Sequence, residues 1–463
     1  MSMQLRNNKF ILLAGIIFLG LFISVAPVYS ATMKEWTFAV FLNADNNLDP
    51  RGVEDQIEMS RVGSNDWLNM VTLIDRANGP ASLNYIEKNK VTLLKDLGEI
   101  DMGDYKQLIS FMQFVVANYP AKRYILTIWN HGSGWRNQAG KHIYRGISYD
   151  ETSGNHITTA QLEAALKEIR QIIGHNIDIL NMDACLMQMV EVAYACKDST
   201  DYIVASEEVV PGKGNPYDDV FAALTATDTT ENFSKNWVNI FTASFSNGSQ
   251  GQETCTQSCI KCSEIGQLVD AINGFAKATM STNFRKEYHD AILRVQKFAS
   301  PENIDLIHFV QLIQASVKEV GIQNACTKLL EASKKFILQN STNGSSVKNA
   351  NGLAIYLPFD FTLESAYKEL SFAQATVWGD MISDLYHKAT SASLIDGINS
   401  GDLRPLQAFV ADSRQASPEM IQFVLHELNY RLYTEGGLPK EIESGVSSLS
   451  KKLLITIEDI NKK

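Results

Sequence analysis

The sequence predicts an α/β fold in which a mostly parallel central sheet is flanked by helices and followed by a helical C-terminal region. Between residues 35 and 210, short apolar runs alternate with helical patterns, as in β-α-β units. The chain has 463 residues, of which 45% are hydrophobic, so it can bury a large core. After about residue 391, glycines and a proline interrupt the pattern and charged helical segments follow.

Five apolar runs of this first part are predicted to be strands. Each is short, and helical patterns or turn residues separate one from the next. The runs are EWTFAVFL (35–42), MVTLID (70–75), RYILTIW (123–129), IDILNM (177–182) and YIVAS (202–206).

Helices are predicted between these strands. Apolar residues recur at helical spacing from Leu108 to Tyr119. A second helix begins in TTAQLEAALKEIR, where Thr158 and Gln161 have the spacing of a capping box. Residues from about 216 to 350 are predicted to be mainly helical, and NGLAIYLPF (351–359) is predicted to be a late strand that rejoins the first sheet.

The N-terminal segment has the pattern of a secretory signal peptide. Two basic residues precede a long apolar run, and a small-residue motif at Val28-Tyr29-Ser30 comes before Ala31. We therefore expect a signal peptide at 1–30, a main domain at 31–390 and a helical tail of unknown role at 391–463. The protein is expected to be exported to the periplasm, cell surface or medium. It would contact a membrane only through this segment if the segment stays uncleaved.

The charge of the chain argues against nucleic-acid binding, and its cysteine content argues against a disulfide-stabilised domain. Without residues 1–30 the chain has 39 Lys and Arg against 52 Asp and Glu, a formal charge of −13, which repels nucleic acid. Six cysteines in so long an exported chain do not indicate a disulfide framework. Cys255, Cys259 and Cys262 lack a nearby fourth zinc ligand and are expected on one face of a helix.

Reactive side chains follow three of the predicted strands. Asp45 lies in NADNNLD after the first strand, and His131 and Gly132 lie in WNHGSGW after the third. Asp183 and Cys185 lie in NMDACLM after the fourth, with Cys185 expected at the start of a helix. Because ligands bind beyond the carboxyl ends of parallel strands, these residues are expected to share one site.

These residue types favour the chemistry of a cysteine hydrolase. The positive end of a helix would stabilise the thiolate of Cys185, and His131 could take its proton and later protonate a leaving amine. The backbone amides of Gly132 and Cys185 could form an oxyanion hole. Taken singly, however, a buried cysteine or a histidine near tryptophans is usually structural.

The motifs NHGSGW and DACLM, which place His131 and Cys185 54 positions apart, resemble those of the clostripain family of clan CD cysteine peptidases. FLNADNNLD and YIVASEE extend the resemblance over roughly residues 35 to 390. It implies a caspase-like α/β fold, a catalytic dyad of His131 and Cys185, and peptide substrates with a basic P1 residue.

The resemblance also implies that Asp183 lies in the S1 pocket and pairs with a P1 Arg or Lys. Asp45 is a second candidate for this pocket, with an Asx turn after the strand as the alternative. A further acidic S1 residue is expected after the fifth strand, where Glu207, Asp218 and Asp219 all remain open.

The resemblance also implies activation by cleavage, because members of the family are often made as inactive precursors. They are cut after a basic residue in the loop between the histidine and cysteine motifs. That loop offers Lys141 and Arg145, and self-cleavage is expected between Arg145 and Gly146. No cofactor is required by this chemistry, and Ca²⁺ remains an open alternative because of the acidic sheet edge. The competing hypothesis is an inactive binding or adhesion protein that has kept the peptidase fold.

Overall fold

The computed structural model describes residues 33–135, 146–359, 363–413, 421–422, 424–425, 428 and 440–461. The predicted α/β class is confirmed. Strands occur along the first three quarters of the chain. They are β1 (Lys34–Ala44), β2 (Leu68–Arg76), β3 (Gly79–Glu87), β4 (Lys90–Gly98), β5 (Ala121–Trp129), β6 (Ile147–Asp150), β7 (Asn155–Ile157), β8 (Ile177–Asp183), β9 (Thr200–Ala205), β10 (Ser246–Gly248), β11 (Gly251–Gln252), β12 (Cys255–Lys261), β13 (Asn303–Asp305), β14 (Ile337–Asn343) and β15 (Ala354–Tyr356).

Helices lie between and after these strands. They are α1 (Asp49–Val62), α2 (Tyr105–Asn118), α3 (Thr159–Ile173), α4 (Val190–Cys196), α5 (Tyr217–Ala222), α6 (Thr230–Ser244), α7 (Ile265–Met280), α8 (Arg285–Arg294), α9 (Leu306–Ser316), α10 (Val320–Phe336), α11 (Ser371–Ala375), α12 (Trp378–Asn399), α13 (Arg404–Asp412) and α14 (Lys440–Asn461).

The main sheet of the described residues has nine strands in the order β14-β12-β9-β8-β5-β1-β2-β3-β4. Its centre, from β9 to β2, is parallel, and an antiparallel pair extends it on each side. All five predicted strands lie in this parallel centre. Their carboxyl ends therefore meet at one edge of the sheet, where open α/β sheets bind ligands.

Both faces of the parallel centre are covered, as β1 illustrates. Every residue of β1 from Trp36 to Ala44 is buried, as expected for a parallel strand between two layers. Phe38 belongs to an apolar cluster with residues of α1, α5 and α6. Phe41, on the other face, belongs to a larger cluster that includes residues of α2, α3, α7, α9 and α10.

Of two predictions for residues after 216, one is confirmed and one was wrong. The segment is mainly helical, from α5 to α10, although β12 and β14 pair antiparallel beyond β9 and widen the main sheet. The late strand does not rejoin that sheet, since β15 pairs with β13 in a separate two-stranded ribbon. The apolar run correctly indicated a buried strand, but burial alone does not identify the pairing partner.

The CTQSCIKC cysteines are also placed differently from the prediction. Cys255 and Cys259 lie on β12, and Cys262 follows it, rather than on one face of a helix. All six cysteines are free. Among the described residues, none of them joins other Cys, His, Asp or Glu side chains in a group of three with converging ligand atoms.

The C-terminal region is helical where the structure describes it. Helix α12 runs from Trp378 to Asn399 and so crosses the predicted boundary at 390. Its end shares an apolar cluster with residues of α13 and α14, separate from the clusters on the sheet. The predicted signal peptide, 1–30, lies outside the described residues. Of the helices described, none has the length and apolar character needed to cross a bilayer.

We expect Thr158→Ala to lower the free energy of unfolding by about 1 kcal/mol. Thr158 Oγ1 accepts a hydrogen bond from the Gln161 amide, and the Gln161 side chain accepts one from the Thr158 amide, as the predicted capping box requires. Urea unfolding measures the change, with exposed Thr227→Ala as the control. Equal midpoints for the two variants would contradict a stabilising cap.

Candidate active site

Parallel pairing of β5 with β8 brings the two reactive motifs together. Trp129, at the end of β5, pairs with Asp183, at the end of β8. His131 and Cys185 each follow two residues later, so they leave the sheet side by side. Both line one cavity of about 280 Å³ together with Trp129 and Asp183. Residues 209–212 and 214 also line this cavity.

Cys185 lies in a tight turn, not at the start of a helix. The turn covers residues 184–186, and α4 begins only at Val190. Leu186 has φ +63, which is uncommon for a residue with a side chain. Its amide donates to the carbonyl of Glu208 over 3.2 Å. The prediction of a helix N-terminus beneath the thiol was therefore wrong.

Gly132 allows the His131 loop to approach the Cys185 turn closely. A Cβ atom on Gly132 would lie 2.5 Å from the Cys185 carbonyl oxygen and 3.0 Å from Ala184 Cβ. Both contacts are shorter than van der Waals separation, so a larger residue would push the two segments apart. The absence of a side chain at 132 thus sets the spacing between the histidine and cysteine loops.

His131 is oriented by a residue that the sequence analysis did not single out. Its Nε2 lies 2.7 Å from Oδ1 of Asn47, in the loop after β1. With Nε2 as the donor, Nδ1 is the basic nitrogen of the ring. Burial lowers the pKa of His131, partly offset by the nearby carboxylate of Glu151. The imidazole is therefore neutral at neutral pH and able to accept a proton.

The thiol of Cys185 is protonated in the resting protein. Burial raises the pKa of Cys185 to about 11, and repulsion from Asp183 and Glu208 adds to this, while the Val210 amide acts in the opposite direction. Among the described residues, no helix N-terminus lies under the thiol to bring this pKa down to the physiological range. A reaction at this sulfur therefore needs a base to remove the proton.

Asp183 forms the polar side of the cavity. Its Oδ2 accepts hydrogen bonds from the Asn215 amide (3.0 Å) and the Tyr217 hydroxyl (2.8 Å). Burial raises its pKa, while bonds from Asn215 and Tyr217 lower it. A Cβ on Gly214, at φ +64, would lie 2.9 Å from Oδ2. The carboxylate is thus fixed in a cavity where a cationic group would offset the cost of burying its charge.

Asp45 does not line this cavity. Its side chain instead accepts a hydrogen bond from the Thr152 amide over 2.9 Å. The Asx interaction after β1 belongs to Asn46, whose Oδ1 accepts from the Leu48 amide. Both predictions for Asp45 were therefore wrong: it neither lies in the cavity nor forms the Asx turn after β1.

The three open candidates for a second S1 carboxylate also lie elsewhere. Asp218 pairs with Arg61, and Asp219 accepts from the Ser249 hydroxyl. Glu207 is buried and accepts from the Gly352 amide over 2.9 Å. Among the described residues that line the cavity, Asp183 is the one acidic side chain.

Of the predicted cleavage site, Lys141 and Arg145 lie outside the described residues. Gly146 is buried, and its amide donates to Ser133 Oγ over 3.2 Å. Its carbonyl accepts from the Ser133 amide (3.0 Å) and the Tyr149 hydroxyl (3.1 Å). Gly146 is therefore held beside the His131 loop.

The site depends on residues that the sequence analysis did not single out. Asn47 stands in the quoted NADNNLD segment, and its position after β1 was a usable signal. Tyr217 and Val210 gave no comparable signal. Val210 lines the cavity from the loop after β9, and Tyr217, the first residue of α5, donates to Asp183.

Comparison with known proteins gives consistent matches. A model of the clostripain family of C11 peptidases matches residues 40–385. Clostripain from Hathewaya histolytica is 31% identical over 232 residues, which are 42% of this chain and 43% of that protein, so this chain matches less than half of its length. Two solved structures are each 20% identical to this chain. Each alignment includes 74% of this chain and 99% of the solved chain. They are a secreted C11 cysteine protease from Bacteroides thetaiotaomicron in complex with an irreversible peptide inhibitor (TM-score 0.59) and an inactive zymogen C11 protease from Parabacteroides distasonis (TM-score 0.55). The shared fold extends across the main domain.

Glu207 and Asp305 form a buried carboxyl pair. Burial and repulsion from Asp305 raise the pKa of Glu207 well above its usual value, and the two side chains share a hydrogen bond. A raised pKa means that the folded protein holds a proton that the unfolded chain releases near pH 4.5. This contribution to stability is complete below that pH and is lost as pH rises toward the folded-state pKa.

We therefore expect Glu207→Gln to become more stable relative to wild type as pH rises above about 4.5. The neutral amide cannot ionise, so the difference should change by about 1.4 kcal/mol per pH unit within the window. Urea unfolding at several pH values measures it, with exposed Glu168→Gln as the control. Parallel pH profiles for wild type and Glu207→Gln would contradict a shared proton.

Proposed function

The chain belongs to the clostripain family, and from this premise we propose that it is a cysteine endopeptidase that cleaves after arginine and, less readily, after lysine. The observation that carries the proposal is that one cavity is lined by a thiol, a neutral imidazole and a fixed carboxylate, from Cys185, His131 and Asp183. A thiol, a base and an anionic pocket are the groups that such hydrolysis needs.

In the proposed mechanism His131 acts first as a general base. It takes the proton of the Cys185 thiol, and the sulfur attacks the carbonyl carbon of the scissile peptide bond. The developing oxyanion is stabilised by the backbone amides of Cys185 and Gly132. The protonated imidazole then gives its proton to the leaving amine, which yields a thioester that water hydrolyses with His131 again as the base.

Base-assisted attack suits the electrostatics of the site. With a thiol pKa of about 11 and an imidazole pKa below its usual value, the resting dyad is neutral. An ion pair is then formed only during attack, when substrate has displaced water from the cavity. Asn47, bonded to Nε2, keeps the imidazole in one orientation through both proton transfers.

Specificity for a basic P1 residue is assigned to Asp183. Its carboxylate is held by Tyr217 and Asn215 and needs a cation in the cavity to compensate its burial. A guanidinium can donate two hydrogen bonds to one carboxylate, which favours arginine over lysine.

Export and self-processing belong to the same proposal. The relative from Bacteroides thetaiotaomicron is described as secreted, and that from Parabacteroides distasonis as an inactive zymogen. Cleavage between Arg145 and Gly146 would generate a light and a heavy chain. The hydrogen bonds of Gly146 to Ser133 would keep the new N-terminus in place beside His131.

We expect Cys185→Ala to lower turnover of an arginyl amide substrate at least about a thousandfold, because the described residues that line the cavity include no other thiol or hydroxyl group. The same variant should stay uncut, whereas wild type is cut after Arg145, as intact-mass analysis measures. Cys326→Ala, which removes a buried thiol of α10, is the matched control and should retain both activities. A Cys185→Ala protein that turns over substrate, or is cut as wild type is, would refute the proposed nucleophile.

We expect Asp183→Asn to reduce the ratio of arginyl to neutral P1 turnover about ten- to hundredfold, because a hydrogen bond to a charged partner contributes about 1.5–3 kcal/mol. Values of kcat/KM for paired substrates measure the ratio. Asp218→Asn, which removes a carboxylate paired with Arg61 outside the cavity, is the control. An unchanged ratio in Asp183→Asn would refute the pocket assignment.

A further inference from the structure

A second buried carboxyl group, that of Asp55, is hydrogen-bonded to the wall of the cavity that holds Cys185. Asp55 lies on α1 and is only 2% exposed. Its Oδ2 accepts a hydrogen bond from Trp129 Nε1 over 2.7 Å, and Trp129 itself lines the cavity. One tryptophan side chain therefore connects Asp55 to the cavity, although Asp55 does not line it.

Trp129 and Asp183 point to the same face of the sheet. They are register partners at the ends of β5 and β8, and paired residues of neighbouring strands lie on one face. Trp129 belongs to the apolar cluster that α1 and α5 cover, and Tyr217 of that cluster donates to Asp183. Asp55 from α1 and Asp183 from β8 therefore reach into the same layer of side chains.

Asp55 and Asp183 are close enough to repel each other. Burial raises the pKa of Asp55 well above its usual value, and repulsion from Asp183 is the next cause. Weaker repulsion comes from Glu58 and Glu54 on α1, while the bond from Trp129 acts in the opposite direction. Without a cation beside Asp183, Asp55 therefore holds a proton.

Tyr217 of α5 is the other ionisable group of this layer. Burial raises its pKa well above the usual value, and repulsion from Asp183, Asp55 and Glu58 adds to this. Its hydroxyl therefore stays protonated and keeps donating to Asp183. The pKa of half-buried Glu58 is raised to about 7, mainly by burial and then by repulsion from Asp218. Three carboxyl groups thus act on one hydroxyl beside the cavity.

The described residues supply no cation to Asp55 or Asp183. Arg61 of α1 pairs with Asp218 of α5 instead. None of the ion pairs between described residues includes Asp55 or Asp183. A cationic ligand in the cavity would provide the positive charge that both buried carboxyl groups lack.

We propose that Asp55 is a second specificity-determining residue for the P1 side chain and releases its proton when an arginine or lysine side chain binds to Asp183. The charge of the ligand favours the ionised form of a carboxyl group close to it. The O–H bond of Asp55 breaks, the proton passes to solvent, and the bound cation then interacts with two carboxylates instead of one. The inference rests on the proposed function, because it takes the P1 side chain as the ligand of the cavity.

The preference for a basic P1 residue should therefore increase with pH. Below the pKa that Asp55 has with ligand bound, the proton stays in place and Asp55 contributes little. Above that pKa, binding expels the proton, and affinity rises by up to about tenfold per pH unit until the pH exceeds the pKa of the ligand-free form. Ionisation of Asp183 adds its own pH dependence, so the contribution of Asp55 is the difference between wild type and Asp55→Asn.

The first test compares kcat/KM for a peptide amide substrate with arginine at P1 and for the same substrate with citrulline, which is neutral, across pH. Ionisation of His131 and Cys185 affects both substrates alike and cancels in the ratio. We expect the arginine-to-citrulline ratio to rise with pH at least about tenfold more in wild type than in Asp55→Asn. Asparagine keeps an oxygen that can accept from Trp129, so the substitution removes the charge and retains the contact. Asp270→Asn, at an exposed position of α7, is the control and should match wild type.

The second test measures the proton itself, on the full-length Cys185→Ala protein. Calorimetry at neutral pH records the binding of N-acetylarginine amide in two buffers that differ in their enthalpy of ionisation. We expect a heat of binding that depends on the buffer, as proton release requires. Adding Asp55→Asn to this protein should reduce the number of protons released.

The outcomes separate this inference from the proposed function. A Cys185→Ala protein that binds N-acetylarginine amide without releasing a proton overturns the role of Asp55, whether or not Asp55→Asn folds. Equal proton release, or equal pH dependence of the substrate ratio, with and without Asp55→Asn overturns it as well. A wild-type protein that shows no preference for arginine over citrulline at any pH would instead refute the pocket assigned to Asp183, on which this inference depends.

Discussion

The parallel pairing of β5 with β8 is the constraint on which the candidate site depends. It places Trp129 opposite Asp183, and the Asn130 amide then donates to the Asp183 carbonyl as the two strands end. Residues 131 and 185 are far apart in sequence but leave the sheet at the same level. A slip of one residue would move one of them by about 3.3 Å and turn its side chain to the opposite face. Both faces of these strands are buried, which makes such a slip costly.

Burial, rather than a helix dipole, sets the electrostatics of the site. It raises the pKa of Cys185 and Asp183 and lowers that of His131. Asp55 accepts a hydrogen bond from Trp129 Nε1 over 2.7 Å, and burial together with Asp183 holds its pKa well above the usual value. Both effects favour the protonated form of Asp55, whereas Asp183, which lines the cavity, receives two hydrogen bonds that favour its charged form. A low-dielectric cavity strengthens that single interaction.

The features predicted from the sequence were those encoded by short segments. The five parallel strands were visible as apolar runs, so the positions of His131, Asp183 and Cys185 after strand ends followed directly. The capping box at Thr158 is equally local. By contrast, β14 is a polar edge strand, ILQNSTN, with every residue only half-buried, and it offered no apolar run to recognise.

The features that could not be predicted depend on contacts between distant segments. Cys185 was expected at the start of a helix because the residues that follow Asp183 have the pattern of an amphipathic helix. The left-handed conformation of Leu186 instead delays α4 to Val190. That conformation accompanies a bond to the Glu208 carbonyl, more than twenty residues away, which no local pattern contains. The position of Asp45 likewise depends on Thr152 in the loop after β6.

The sheet edge holds two groups of buried carboxylates that are stabilised differently. Asp183 receives hydrogen bonds from Asn215 and Tyr217, so it can remain ready for a ligand that comes and goes. Asp75 has an oxygen with no donor among the described residues, and repulsion from Glu99, Asp150 and Asp45 adds to burial in raising its pKa. The hydrogen-bond donors available to each carboxylate thus decide how readily it stays charged without a cationic partner.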